Sequence, residues 1–171
     1  GFAQGASILV GNHLGAGDKD GGRRVFVAQE LIALLIAVAI AVMLLSTPRT
    51  VLSLFSLEPD LVPLGVRALH FFTLFFFIEV LGYSFEIIFS HNGWGKLVLL
   101  SEFSTNILFI LGLTFLAVLV LDLGIFGAWS GFALYQVAHA AILTAGFLSG
   151  RWKEIEVEGT RRRVKPAVAG K

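Results

Sequence analysis

Residues Val25–Leu45 read VFVAQELIALLIAVAIAVMLL, an almost wholly apolar run. At 1.5 Å per residue, a helix of that length covers about 30 Å, the thickness of the hydrocarbon core of a bilayer. Runs of the same kind follow at Leu64–Ser90, Lys96–Leu121 and Ile125–Ser149. In oil a single open segment satisfies its backbone N–H and C=O groups only by coiling into a helix. The expected fold class is therefore all-α, a polytopic transmembrane helical bundle with four complete spans. Residues 1–14 are apolar but too short to cross, and read as the inner end of a fifth helix.

Composition agrees. Hydrophobic residues make up 56% of the chain and charged residues 15%, against about 45–50% and about 25% in soluble domains. Mean hydropathy is +0.84. Cysteine is absent, which removes disulfides, thiolate metal sites and a cysteine nucleophile. A net charge of +1 gives no reason to expect nucleic acid as a partner. The chain starts at Gly1 in apolar sequence, without an initiator Met or a basic leader, so the start does not read as a signal peptide. It reads as a piece of a longer membrane protein. The expected organisation is a membrane portion over 1–150, with spans at about 1–14 (partial), 25–45, 64–90, 96–121 and 125–149, then a basic tail over 151–171.

Between the spans, Gly15–Arg24 reads as a glycine-rich polar turn and His91–Gly95 as a tight one. Ser46–Asp60 reads as a connection lying in the headgroup region. Lys19, Arg23 and Arg24, then Lys96, then the seven cations of the tail all fall on one side if four crossings separate them. The other side has Arg49, and Arg67 near a helix end. The positive-inside rule then puts the tail in the cytoplasm of a plasma (inner) membrane, with Trp94 and Trp152 at the inner interface. Ala33, Ala37 and Ala41, and Gly124, Gly127 and Gly131, are small residues at spacings that let helices approach closely.

An ionisable group in hydrocarbon costs about 2.5–3.5 kcal/mol on insertion scales, so each one is a functional candidate. Glu79, Tyr83 and Glu86 are spaced to share one face of the second full span. A carboxylate pair there can share a proton or hold a bare cation, with the tyrosine oxygen as a further ligand. The structural alternative is that Glu86 reaches water or pairs with Lys96. The third span offers Glu102 and Asn106, and the fourth Gln136 and His139 with Tyr135 beside them. Gln4 and Ser7 are weaker candidates for the same cavity. His13, His70 and His91 sit near interfaces and need no special role. The histidines do not fall at metal-ligand spacings, so no resident metal or cofactor is expected. The sequence contains no H-E-x-x-H, P-loop or nucleophile elbow, so no enzyme is expected.

The stretch Gly5–Asp18, GASILVGNHLGAGD, resembles the helix end and turn A-s-x-L-V-G-Q-x-L-G-A-G-D of multidrug and toxic compound extrusion (MATE) antiporters. Leu54–Asp60 is similar to that family's L-F-x-x-D-P-E connection, and Gly124–Trp129 to its G-x-x-G-x-W helix start. The turn Gly93-Trp94-Gly95-Lys96 departs from the usual G-x-G-D-T by carrying Lys96 where Asp is common. The resemblance implies twelve helices in two lobes, of which this chain would hold the last four and the end of the eighth. It implies efflux of cationic or amphipathic compounds by alternating access, coupled to inward sodium or protons. Glu79, Tyr83 and Glu86 would lie on a helix that contributes to the ion site, and Phe72, Phe75 and Phe76 would line a cavity for an organic cation. The expected partners are membrane lipid, that substrate and the missing N-terminal lobe. The alternatives are a lipid-linked oligosaccharide flippase of the same superfamily, whose cavity should carry more cations, and a membrane scaffold subunit that transports nothing.

Overall fold

Among the described residues, four helices are long and apolar enough to cross a bilayer: Lys19–Ser46, Pro59–His91, Gly95–Val120 and Gly124–Leu148. The structure, a computed structural model, describes residues 1–55 and 58–154, and no strand occurs among them. Its elements are α1 (Phe2–Gly15), α2 (Lys19–Ser46), a short α3 (Pro48–Ser53), α4 (Val62–His91), α5 (Gly95–Thr105) and α6 (Gly124–Leu148). Short 3-10 turns at Pro59–Leu61 and Arg151–Glu154 precede α4 and follow α6. Helix α5 continues as π-helix through Asn106–Leu113 and Leu116–Val120, which nothing in the sequence announces. Ser56 and Leu57 of the connection, and Arg161–Lys165 with the rest of the expected tail beyond Glu154, lie outside the described residues.

The first turn is shorter than its glycines suggest. Helix α2 begins at Lys19, inside the stretch read as a polar turn, because Asp18 caps it: the Gly21 N–H donates to Asp18 Oδ1 at 2.9 Å. Gly17 supplies the left-handed residue, φ 80°, that reverses the chain. His13, expected to have no role, donates from Nδ1 to Asp18 Oδ2 at 2.9 Å and ties the end of α1 to the start of α2. A Cβ at Gly21 would run into both the Asp18 carboxylate and the His13 ring.

The Gly21 hydrogen bond, reinforced by His13, holds the Asp18 carboxyl below its ordinary value of 3.8. A lowered folded pKa means the carboxylate stabilises the turn above that ordinary value, and the contribution disappears as pH falls through the folded pKa. Asp18→Asn keeps a capping oxygen but loses the charge. Thermal midpoints taken on acidification should therefore fall more steeply below pH 3.8 for the native chain than for Asp18→Asn.

The main core gathers at the end where the cationic turns lie. Val10, Phe26, Phe85, Ile88, Phe89, Val98, Leu143 and Trp152 form one buried cluster joining α1, α2, α4, α5 and α6. The Phe26 ring lies 4.9 Å from that of Phe85 and 4.6 Å from that of Phe147. Trp152 folds back over Phe147 at 5.2 Å and donates Nε1–H to the Phe147 carbonyl at 3.0 Å. It is buried in protein, where that hydrogen bond and stack satisfy both ends of the indole. At the opposite end, Arg49 and Arg67 line one groove with Pro59 and Pro63.

Lipid tails are as apolar as leucine, so close packing and interhelical hydrogen bonds must hold these helices together. Gly127 and Gly131 of α6 sit against the π-helical run: a Cβ at Gly127 would come within 2.9 Å of Ala117 Cβ. At Gly131 it would lie 2.9 Å from the Phe109 carbonyl and collide with Thr114 Oγ1. Ala37 and Ala41 are buried, with Ala33 half-buried. Gly124 acts differently, carrying φ 55° at the turn that starts α6.

Candidate functional site

Three helices meet at a polar cluster. Helix α4 brings Glu86, α5 brings Glu102 and α6 brings His139, with one ligand atom of each within 4.8 Å of the others. Glu102 is the hub. Its carboxylate accepts from the Tyr135 hydroxyl at 2.9 Å on both oxygens, and from Asn106 Nδ2 at 2.9 Å on Oε1. The helix period explains the set: Asn106 follows Glu102 by one turn, and Tyr135 precedes His139 by one turn. The Tyr135 and His139 rings stack, 5.8 Å apart and 16° from parallel.

His139 is only 3% exposed. Its Nδ1 pairs with Ser101 Oγ at 3.0 Å, which fixes the ring and turns Nε2 toward Glu102 Oε2 at 3.5 Å. Among the described residues Nε2 has no hydrogen-bond partner. The site therefore combines two carboxylates, whose like charges repel, with an imidazole nitrogen short of a partner. A proton can sit between any two of these groups. A small cation can also bridge them, though an imidazole nitrogen suits an alkali ion less well than an oxygen does.

The structure brings Glu86, Glu102, Asn106 and His139 together. It leaves Glu79 and Tyr83 outside: both are exposed on α4, Tyr83 by 53%. Glu86 turns toward α5 and α6 and does not pair with Lys96. Glu79 instead lines a groove of about 310 Å³ with Leu44, Leu52, Phe72 and Phe76. Phe72 packs edge-on to Trp129 and Phe132 at 5.7 and 5.6 Å, and Phe75 lies 5.2 Å from Phe71. Fourteen residues of helix, about 21 Å, separate Phe72 from Glu86, so the aromatic cluster and the acidic one are different places. Gln136 is half-buried beside Tyr135. Ser7 joins none of these: it pairs with His91 Nδ1 at 2.8 Å, giving that histidine a structural role, while Gln4 is exposed.

Sequence reasoning missed Gln29 and Glu30. Both are buried in α2, and Gln29 Nε2 donates to Ser84 Oγ of α4 at 3.2 Å. The signal was present, an adjacent Gln–Glu pair inside an apolar run, but it sits close enough to Arg23 and Arg24 to pass for the end of a span. In the sequence Tyr135 and Ser101 stand out only as neighbours of other candidates. Their partners became visible when α5 and α6 were placed side by side.

Over 156 residues the chain is 29% identical to multidrug and toxin extrusion protein 1 of Homo sapiens and to that of Pongo abelii, covering 90% of this chain and 27% of each relative. It is 24% identical over 165 residues to the probable multidrug resistance protein NorM of Thermotoga maritima, covering 96% of this chain and 35% of that protein. The chain thus spans roughly a quarter to a third of the length of these relatives. No solved structure gives a significant match. Residues 1–118 match the pattern of the MatE family. With four spanning helices and that match over most of its length, the chain is a multi-pass membrane protein belonging to the MatE family.

Proposed function

We propose that the chain is part of a cation-coupled efflux transporter for amphipathic organic compounds, with Glu86, Glu102 and His139 forming the place where the coupling cation binds. The observation that carries this reading is the convergence of those three side chains, from three separate helices, within 4.8 Å inside the spanning region. The names of the relatives, which refer to multidrug extrusion and resistance, support efflux as the direction of transport.

The physics is differential binding. An ion shifts the balance between inward- and outward-open states only if it binds one of them more tightly. With the cluster closed, one positive charge relieves the repulsion between Glu86 and Glu102 and holds α4, α5 and α6 together. Its release lets those helices part. Burial of His139 Nε2 beside carboxylate oxygens favours a proton over sodium as the coupling ion. An organic cation fits the groove where Glu79 lies beside Phe72 and Phe76, since a carboxylate and aromatic faces both attract it. The cationic turns then face the cytoplasm of the plasma membrane. A flippase for anionic lipid-linked sugars is disfavoured because the ionisable groups gathered at depth are mainly acidic.

The test is to place the full-length transporter in vesicles and impose proton and sodium gradients separately while following a fluorescent organic cation. A proton gradient should drive accumulation, and a sodium gradient alone should drive much less. If neither gradient moves the dye, the transport reading fails.

A further inference from the structure

The most unusual group outside that cluster is Glu30. Its residue is more than nine-tenths buried in the spanning part of α2, and among the described residues only the Ser84 hydroxyl stands near its carboxylate oxygens. The neighbouring Gln29 is 4% exposed, and its Oε1 is without a partner among the same residues. The Ser84 hydroxyl of α4 accepts from Gln29 Nε2 at 3.2 Å and also lies beside the Glu30 carboxylate. Buried polar groups in proteins are almost always paired, and three acceptor oxygens on adjacent residues with one hydroxyl between them ask for a positive partner.

Among the described residues, no ionisable side chain on the helices around α2 provides one. His13 of α1 is engaged with Asp18, and Glu86 of α4 interacts with Glu102 and His139. Glu79 of α4 lies beside Leu44, about 21 Å along α2 from Glu30. None of these acts on Glu30 electrostatically. Gln29 also lines a groove of about 580 Å³ between α1 and α2, with Phe2, Ala6 and Leu9. That groove reaches Gln29, the neighbour of Glu30.

We propose that Glu30, Gln29 and Ser84 form a second cation site, separate from the Glu86–Glu102–His139 cluster, which takes one small monovalent cation on oxygen ligands alone. The cation is a proton or a sodium-sized ion; both deliver the single positive charge that one carboxylate in oil requires. Occupied, the site ties α2 to α4 through Ser84. It does not depend on the transport reading of the first site.

Infrared difference spectroscopy on the protein in lipid bilayers tests this, because protonated and ionised carboxyl groups absorb in separate regions. In sodium-free buffer near neutral pH, a proton occupant predicts a carboxylic C=O band that Glu30→Gln abolishes and Glu86→Gln and Glu102→Gln leave in place. A sodium occupant predicts a carboxylate band that shifts on adding sodium at fixed pH, with the shift lost in Glu30→Gln. If Glu30→Gln does not insert, Ser84→Ala serves instead: removing the hydroxyl beside the carboxyl should move the same band. A Glu30 carboxylate that responds to neither pH nor sodium overturns the site. A band lost only in the Glu86 or Glu102 variants overturns it too, while leaving the first site standing.

Discussion

Glu102→Gln should lower gradient-driven efflux of an organic cation by about tenfold or more, equivalent to at least about 1.4 kcal/mol of lost coupling. The substitution removes one of the two negative charges at the cluster while keeping an oxygen that can accept from Tyr135 and Asn106. Membrane insertion and thermal midpoint should change little. Glu102→Ala should show the same loss of transport and a lower midpoint as well. It leaves the Tyr135 hydroxyl without its acceptor, at a cost of about 1–3 kcal/mol for an orphaned donor, while Asn106 keeps its bond to the Glu102 backbone carbonyl. The contrast between the two variants separates the charge from the scaffold. If both lose stability equally while Glu102→Gln still transports normally, Glu102 is structural.

Gly131→Val should destabilise the bundle by about 1–3 kcal/mol or more through overpacking. The first added carbon already meets the Phe109 carbonyl at 2.9 Å and collides with Thr114 Oγ1, and a β-branched side chain adds two more atoms to the same space. The π-helical run of α5 packs directly on this glycine, so α5 must be displaced from α6, taking Glu102 away from Tyr135 and His139. Gly5→Ala is the control: its Cβ would meet nothing within 4 Å and stands in a helix. Midpoints of detergent denaturation should drop clearly for Gly131→Val and stay level or rise for Gly5→Ala. Equal midpoints would show that α5 and α6 pack less tightly than the structure has them.

The spans were legible because length and apolarity alone decide them, and the helices begin and end within a few residues of the expected runs except at α2. There the glycines read as a loop, and Asp18 as an N-cap became clear only once its bond to Gly21 was seen. The candidate site was legible by residue type but not by grouping. Helical spacing puts Glu79, Tyr83 and Glu86 on one face. Which neighbour each of them meets depends on how α4 crosses α2 at one depth and α6 at another, and a one-dimensional pattern holds no such information. Glu102, Asn106 and His139 were picked out as polar groups at depth, and the structure gathers them with Glu86. The burial of Glu30 against Ser84 arises from packing between helices far apart in sequence, so it is visible only in three dimensions.

In the proposed mechanism, substrate and a coupling proton are linked through Glu86, Glu102 and His139. The most direct measurement is proton release from the detergent-solubilised transporter in weak buffer, followed with a pH-sensitive dye as an organic cation is added. The native protein should release protons as substrate binds, and Glu102→Gln should bind the same substrate with that release largely abolished. Undiminished release from Glu102→Gln, or no release from the native protein, would contradict the account.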